Sequence, residues 1–436
     1  MDNHQNILLV NSYCKFKFIP PLYPIALAYI GSYALARTKA NISVLDLNLY
    51  DKPWDKLKET LKEKKPDIVG VSMRDMPWYP SLFSSPVCYI SKLCQIVKSH
   101  DRDIKLIAGG ACFSLFANDL MGLLPDIDIG IVGEGEEPFK EIITDIKDFR
   151  SIKGICYREG SNLRYTGKRP FMNADDIPIL QDIPGLVPSK YSCVGVQTRR
   201  GCAFECVYCP NDFLQGRCIR RRPVKKIIEE IKFYKNRGVN NIYFADTIFN
   251  VPKDFAKEIV EEIIRNKINI KWGVQFKPID IDESFLKMVE VAGCNIIDLT
   301  ADSGSDETLK LIKTNVLVKD ILESAALISK FKTITQTWCG ITNLPGETVK
   351  TNLDRIKLIL KLIKNGVRPG NIFLNRLKYC PYTELNELYP VMKKIDINKP
   401  SFYYWYRLFD KDIYMTFLVG LFAIYRALKG FKRYAY

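Results

Sequence analysis

Histidine is nearly absent from this chain of 436 residues, which contains only His4 and His100. Chemistry that depends on imidazoles, as in His-rich metal sites and catalytic triads, is therefore nearly excluded. The longest apolar run, 413–425, is interrupted by Thr416 and Gly420 and is shorter than the roughly 20 residues that cross a bilayer. The N-terminus lacks the basic segment and the apolar core of an export signal. We therefore expect a cytoplasmic protein.

The composition is that of a folded globular protein, with 47% hydrophobic and 26% charged residues. The 64 Lys and Arg residues outnumber the 49 Asp and Glu residues and give a formal net charge of +15. Such a charge admits nucleic acid, anionic lipid or an acidic small molecule as a partner. Solvated basic faces explain it more simply, and we expect no stable nucleic-acid partner. Thirteen cysteines in such a chain indicate reduced thiols and a candidate metal centre.

The length predicts two or three domains at roughly 150 residues each. Residues 1–148 alternate apolar runs with helical patterns, which predicts a doubly wound parallel sheet of the Rossmann or flavodoxin type. Residues 149–192 are dense in Gly, Pro and charge, which predicts a linker with a small β hairpin around Gly160. Six further β/α units over 193–395 predict a partial (β/α)6 TIM barrel. The aromatic-rich residues 396–436 predict a short helical C-terminal extension.

The C-terminal extension has two interpretations. Its apolar run 413–425 is followed by Arg426, Lys429 and Lys432, so one interpretation is a basic amphipathic helix in peripheral contact with a membrane. We favour the other, in which the helix docks on its own protein and caps the barrel.

Ligands of a doubly wound sheet bind outside the carboxyl ends of its strands. The residues predicted there are small, polar or glycine, as close approach of the backbone to a large ligand requires. They are Asn11, Ser72, Met73, Arg74, Gly109, Gly110, Gly133, Glu134 and Gly135. Glycine also closes strand-to-helix turns in sheets that bind nothing, so this pattern needs support from the rest of the chain.

Cys202, Cys206 and Cys209 follow the first predicted barrel strand with the spacing Cys-x3-Cys-x2-Cys. Three thiolates on one loop hold three corners of a four-iron cube and leave one iron without a protein ligand, like the open position of a catalytic metal. A structural zinc site is the alternative. It needs a fourth ligand, and Cys218 is the candidate because histidine is lacking. Three unrelated core cysteines are the remaining explanation.

With this cysteine loop the chain resembles the radical S-adenosylmethionine enzymes, and its N-terminal half is similar to the cobalamin-binding domain that precedes the barrel in one subgroup of them. In the front domain, the matching motifs are Gly109-Gly110 and Gly133-Glu134-Gly135-Glu136. In the barrel, the motifs follow the family order after the second, fourth, fifth and sixth strands: Asp246, Asp302-Ser303-Gly304-Ser305, Pro345-Gly346-Glu347-Thr348 and Pro381-Tyr382-Thr383-Glu384-Leu385.

The resemblance implies a 4Fe-4S cluster on the three cysteines, with S-adenosylmethionine chelating the open iron. One electron from the reduced cluster would then release a 5′-deoxyadenosyl radical, and an electron donor such as flavodoxin or ferredoxin is implied as a partner. The implied S-adenosylmethionine contacts are Tyr208, Asp246, Gln275, Ser303, Pro345 and Gly346. The chain departs from the family at Asp302, where Glu is frequent, and near Gln275, where a positive residue is common.

The resemblance also implies cobalamin at the strand ends of the front domain. Neither His4 nor His100 lies in the Asp-x-His-x-x-Gly motif that supplies a lower cobalt ligand, so cobalamin would bind without a histidine ligand. The alternative is a domain that keeps the fold but is vestigial or serves another use.

The first functional hypothesis is a cobalamin-dependent C-methyltransferase that acts on an unactivated carbon of a small-molecule, lipid or peptide substrate. Methyl transfer to a carbon radical needs no general acid or base, which agrees with the scarcity of histidine. The second hypothesis is a radical dehydratase, cyclase or C–C bond-forming enzyme with a repurposed front domain. A tRNA methylthiotransferase is disfavoured because the front cysteines lack the pattern of its second cluster. A non-catalytic cluster-binding protein is the last alternative.

Overall fold

The computed structural model describes residues 5–14, 20–73, 86–146, 148–377 and 380–388. Arg74 and the predicted extension 396–436 therefore lie outside the described residues. The seven strands of the first sheet are β1 (Asn6–Asn11), β2 (Asn41–Asp46), β3 (Ile68–Ser72), β4 (Lys105–Gly109), β5 (Ile129–Ile131), β6 (Ile155–Glu159) and β7 (Asn162–Tyr165). The helices of this part are α1 (Ile25–Leu35), α2 (Pro53–Lys64), α3 (Pro86–His100), α4 (Ala111–Leu115), α5 (Ala117–Leu123) and α6 (Glu136–Thr144).

The first sheet has the strand order β2-β1-β3-β4-β5-β6-β7, and its first five strands are parallel. The strands β1 and β3 are short apolar runs buried on both faces, as a sheet covered by helices on both sides requires. The predicted doubly wound sheet is confirmed. The hairpin around Gly160 also forms, and its strands β6 and β7 extend the first sheet in antiparallel fashion.

The second part contains a six-stranded parallel sheet with the strand order β15-β14-β13-β12-β11-β8 and a two-stranded ribbon of β9 and β10. These strands are β8 (Val194–Val196), β9 (Arg199–Arg200), β10 (Arg220–Arg221), β11 (Asn241–Phe244), β12 (Lys271–Phe276), β13 (Cys294–Asp302), β14 (Thr335–Thr342) and β15 (Ile372–Arg376). The helices are α7 (Asn211–Gln215), α8 (Val224–Lys235), α9 (Lys253–Arg265), α10 (Glu283–Val291), α11 (Asp306–Leu311), α12 (Val318–Ile328), α13 (Val349–Lys364) and α14 (Glu384–Leu388). The predicted partial (β/α)6 barrel is confirmed.

Helix α1 belongs to the first sheet but also packs against β8 of the barrel. The Tyr29 hydroxyl of α1 donates to Glu230 Oε1 at 2.7 Å and accepts from the backbone N–H of Gln197 at 3.1 Å. Arg222 completes this group with an Nη2–Oε2 distance of 2.7 Å to Glu230. The two parts therefore share one continuous hydrophobic core, which includes residues of both sheets.

The topology also fixes the position of His100. Helix α3 follows the carboxyl end of β3 and runs back, so that its last residue, His100, precedes the amino end of β4. His100 therefore lies at the opposite edge of the sheet from the strand ends that bind ligands. Among the described residues, no helix is both long enough and apolar enough to span a membrane.

Replacing Arg222 with Ala tests the connection between the two parts. Both side chains of the Arg222–Glu230 pair are fully buried, so the variant leaves an uncompensated carboxylate and should lose about 3–5 kcal/mol of unfolding free energy. Urea unfolding at neutral pH measures this loss. Lys330→Ala is the control, because its pair with Glu283 is exposed and such pairs contribute about 1 kcal/mol or less. Equal losses in the two variants would contradict the prediction.

Candidate functional site

The carboxyl ends of the two sheets lie next to each other. Helix α4, which follows the Gly109-Gly110 turn, packs against α7, which begins two residues after Cys209. Phe213 of α7 packs against the core of the first sheet that contains Cys112 of α4. The strand ends of the first sheet therefore face the cysteine loop of the barrel directly.

Three predicted residues form a row along the carboxyl edge of the first sheet. Asn11 pairs with Ser72 in register, and Ser72 pairs with Gly109. Gly110 has a φ of +106°, and a Cβ there would lie 2.6 Å from the carbonyl oxygen of Met73, so no other residue fits. Met73 is 1% exposed and packs in the hydrophobic core, and its backbone N–H and carbonyl bond to Gly109 and Cys112, so Met73 offers no free group at this edge.

In the segment from Gly133 to Glu136, Gly133 has only backbone atoms at the surface of the turn, whereas Glu134 and Glu136 form ion pairs with arginines of the barrel. Gly133 has a φ of +95°, and a Cβ there would enter open space, whereas a Cβ on Gly135 would approach Ile30 at 3.1 Å. The Glu134 carboxylate pairs with Arg220 at 2.8 Å and with Arg200 at 3.3 Å. A large planar ligand could thus approach the backbone at Gly133, while Glu134 is already engaged by the barrel.

Glu136 pairs with Arg200, with 2.5 Å between Oε1 and Nη2. Burial by itself would raise the pKa of Glu136, but the Arg200 guanidinium outweighs it, and the pKa is lowered. Because the folded pKa lies below the unfolded value, the pair stabilises the fold above the unfolded pKa of Glu, and this contribution is lost as the pH falls through the folded pKa.

The cysteine loop begins after β9 with a turn that requires glycine. Gly201 has a φ of +89°, and a Cβ there would lie 2.1 Å from the carbonyl oxygen of Cys218. The backbone N–H of Cys202 donates to Gly216 at 3.0 Å, and that of Cys209 donates to Cys206 at 3.0 Å. All three loop cysteines are half-buried, while Cys218 is exposed. The loop thus holds three accessible thiols on a fixed backbone.

The surroundings of these thiols suit an iron–sulfur cluster. The Lys277 ammonium lies 3.9 Å from Cys206 Sγ; burial raises the pKa of Cys206, and Lys277 opposes that rise. Burial raises the pKa of Cys209 to about 12, and a backbone hydrogen bond from Asn211 opposes it. The buried Nδ2 of Asn211 has no hydrogen-bond partner among the described residues. N–H donors and a positive charge near sulfur are the features that tune such clusters.

The three thiols are a donor set that fits an iron–sulfur cube. Among the described residues, no three or more His, Cys, Asp or Glu side chains converge as the ligands of one metal ion do. Thiolates that bind different irons of a cube need no such convergence. The donor set is soft and made entirely of thiols, which fits iron–sulfur chemistry.

Tyr208 is linked to the end of the fourth barrel strand. Its hydroxyl donates to Asp302 Oδ2 at 3.0 Å. Burial raises the pKa of Asp302, while Lys277 and the Tyr208 hydrogen bond oppose that rise. Burial also raises the pKa of Tyr208 far above its usual value, so its hydroxyl remains protonated and keeps donating.

Asp246 is engaged by the strand that leads into the cysteine loop. Its carboxylate accepts from Thr198 N at 2.8 Å, from Thr198 Oγ1 at 2.5 Å and from Arg199 N at 3.2 Å. Burial raises the pKa of Asp246, and the Arg199 charge opposes it. The carboxylate therefore fixes the start of the loop, and its predicted contact with the methionyl amine stays a prediction.

The other predicted S-adenosylmethionine contacts lie at the ends of later barrel strands. Gln275 of β12 lines a cavity of about 380 Å³ inside the barrel. Ser303 is buried directly after β13, where its Oγ accepts from Ser305 N at 3.3 Å. Pro345 is half-buried and Gly346 is exposed in the turn after β14. The structure thus brings these residues to the carboxyl face of the barrel, and their contacts with the cofactor stay predictions.

Two charged residues of the site, Lys277 and Asp298, are not among those predicted from the sequence. Lys277 lies two residues after Gln275 and is therefore on the same side of the chain, so the chain does have a positive residue near Gln275, where it was expected to depart from the family pattern. Asp298 lines the barrel cavity and accepts from the Tyr243 hydroxyl at 2.8 Å and from Thr337 Oγ1. The only sequence signal for Asp298 was an acidic residue within a mostly apolar strand.

Comparison with known families agrees with this geometry. Residues 17–143 match the family model of the B12 binding domain, and residues 196–359 match that of the radical SAM superfamily. The chain combines a B12-binding domain with a radical SAM domain. The predicted family is thereby confirmed, and the cysteine loop lies within the second match.

Individual relatives of this radical SAM protein differ in their activities. It is 26% identical over 318 residues to an uncharacterized methyltransferase of Pyrococcus horikoshii, covering 71% of this chain and 67% of the relative. It is 24% identical over 353 residues to an anaerobic magnesium-protoporphyrin IX monomethyl ester cyclase of Rubrivivax gelatinosus, covering 77% of this chain and 61% of the relative.

The fold of this radical SAM protein is similar to that of the radical S-adenosylmethionine methyltransferase TsrM from Kitasatospora setae, solved with cobalamin and a 4Fe-4S cluster bound. The TM-score is 0.76 at 21% identity, and the alignment covers 87% of this chain and 77% of the other. At this identity the likeness concerns the fold.

Substitution of Cys206 by Ala should abolish cluster binding, because two thiolates cannot hold three corners of the cube. Iron and sulfide analysis of anaerobically reconstituted protein, together with its absorbance spectrum, measures this loss. Cys218→Ala is the matched control, since Cys218 is exposed and lies, like Cys206, between β9 and β10. This variant should retain a full cluster. A Cys206→Ala variant with wild-type iron content, or a Cys218→Ala variant without iron, would contradict the assignment.

Proposed function

We propose that this protein is a cobalamin-dependent radical S-adenosylmethionine enzyme that transfers a methyl group to an unactivated carbon of a small-molecule, lipid or peptide substrate. The observation that carries the proposal is the contact of α4, at the carboxyl edge of the first sheet, with α7, directly after the cysteine loop. It lets a methyl carrier on the first sheet and a radical source on the barrel reach the same substrate. If the two domains presented their strand ends on separate faces of the protein, one substrate could not reach both.

On the barrel side, the cluster and S-adenosylmethionine together supply a 5′-deoxyadenosyl radical when bound. Cys202, Cys206 and Cys209 would hold the cluster and leave one iron open. Lys277, buried beside Cys206, offers a positive charge for the methionyl carboxylate, and Gln275 and Ser303 are further candidates for polar contacts. Tyr208, fixed by Asp302, would cover the cluster and exclude water from it.

On the first sheet, cobalamin supplies a carrier for the methyl group. Asn11, Ser72 and the backbone at Gly133 would line its site. Gly109 and Gly110 have no side chains, so the adjacent turn would let the ligand approach the backbone closely. His100 lies at the opposite edge of the sheet and would not reach cobalamin bound here, and binding without a histidine ligand stays a prediction. Arg74, Glu134 and Gly135 stay predicted members of the site.

A second candidate function is a radical ring closure or another C–C bond formation without methyl transfer. The likeness to the cyclase of Rubrivivax gelatinosus favours it, because that alignment spans both parts of the chain. Flavodoxin or ferredoxin as the electron donor and a cytoplasmic location both stay predictions.

The decisive experiment is anaerobic purification with cobalamin supplied, followed by iron, sulfide and corrinoid quantitation. Incubation with a reductant and S-adenosylmethionine should yield 5′-deoxyadenosine, and a labelled S-methyl group should appear on the bound corrinoid. 5′-deoxyadenosine without bound corrinoid would favour the second candidate function. Protein that binds zinc instead of a cluster would contradict both functions.

Replacing Lys277 with Met should weaken binding of S-adenosylmethionine to the cluster-loaded protein by roughly ten-fold or more, as loss of a charged hydrogen bond does. Equilibrium binding measures this change while iron content confirms that the cluster is intact. Lys271→Met is the matched control, because Lys271 is exposed at the other end of the same strand. An unchanged affinity in the Lys277 variant would remove this residue from the proposed site.

A further inference from the structure

Both ends of the cysteine loop are tied to the segment 133–136 of the first sheet. Arg200, two residues before Cys202, pairs with Glu136 through an Nη2–Oε1 distance of 2.5 Å. Arg220, beyond the last loop cysteine, pairs with Glu134 at two points, 2.8 Å for Nη2–Oε1 and 3.0 Å for Nη1–Oε2. One short turn of the first sheet therefore anchors the entry and the exit of the loop.

Gln215 joins these two anchors on the barrel side. Its backbone carbonyl accepts from Arg220 Nη2 at 2.8 Å, and its side-chain Oε1 accepts from the backbone N–H of Gly201 at 3.2 Å. Gln215 thereby links Arg220 to Gly201, the residue next to Cys202. The loop and its anchors form one connected network.

The network is shielded from solvent. The side-chain exposures are 7% for Arg200, 5% for Glu136, 14% for Arg220 and 11% for Glu134. Salt and water screen such pairs little, and removal of one partner leaves a buried charge uncompensated. The neighbouring Arg221 pairs with Asp254 at the surface, with exposures of 42% and 70%, and provides a matched control.

We propose that Glu134 and Glu136 are positioning residues that couple occupancy of the first sheet to retention of the cluster. The inference rests on the proposed function, which puts cobalamin against the backbone at Gly133. A ligand seated there restricts the adjoining turn, and the turn holds both arginines of the loop. By linkage, cobalamin then stabilises the cluster-loaded loop, and the cluster strengthens cobalamin binding by the same factor.

The test measures the Kd for hydroxocobalamin on the full chain with and without the reconstituted cluster, under anaerobic conditions. In the wild type, the cluster should tighten binding by about 5-fold or more, the lower end of ordinary coupling. In Glu136→Gln the ratio should fall clearly below the wild-type value, because Arg200 loses its nearest carboxylate while the Arg220–Glu134 pair remains, and a chelator should bleach the cluster absorbance faster than in the wild type. Arg221→Gln should behave as the wild type.

Three results would overturn the inference: a Glu136→Gln variant that keeps the wild-type ratio, an Arg221→Gln variant that loses it, or a wild type that binds both cofactors without mutual effect. If Glu136→Gln does not fold, Arg200→Lys replaces it, since the charge stays while the two-point geometry is lost. A wild type that binds no cluster or no cobalamin would instead contradict the proposed function.

Discussion

A parallel sheet presents its ligand-binding loops at one edge only, and this constraint governs the whole structure. For two such sheets to act on one substrate, their carboxyl edges must be turned toward each other and held there. Helix α1 does this at the core through Tyr29 and the buried Arg222–Glu230 pair. The Arg200–Glu136 pair does it beside the cysteine loop. The chemistry of the site therefore depends on contacts that belong to neither sheet alone.

These contacts use buried charge where apolar packing would stabilise at least as well, since desolvation offsets much of the attraction in a buried pair. The ion pairs add a defined orientation of the two sheets relative to each other. A two-point pair between an arginine and a carboxylate fixes distance and orientation together, whereas an apolar contact tolerates sliding. The cysteine loop, which must present three thiols to a rigid cube, gains from that geometric definition.

The sequence predicted those features that depend on residues close together in the chain. Apolar runs such as Ile7 to Val10 indicated buried parallel strands, the cysteine spacing indicated the cluster loop, and glycine at Gly110 reflected a turn that only glycine fits. It did not predict the partners of the motif glutamates, because Arg200 and Glu136 are 64 residues apart and Arg220 and Glu134 are 86 apart. Pairing over such separations depends on how the two sheets pack, and no periodic pattern records it.

The scarcity of histidine and the arrangement of the carboxylates lead to the same conclusion about how the side chains of this protein act. Glu134, Glu136, Asp246 and Asp302 lie beside the cysteine loop or at its start, and each accepts hydrogen bonds from a named donor of the fold. A carboxylate held in this way orients its neighbours and is poorly placed to move a proton for a substrate. The chain thus contributes position, charge and exclusion of water, as protein does around a cofactor that carries the difficult chemistry.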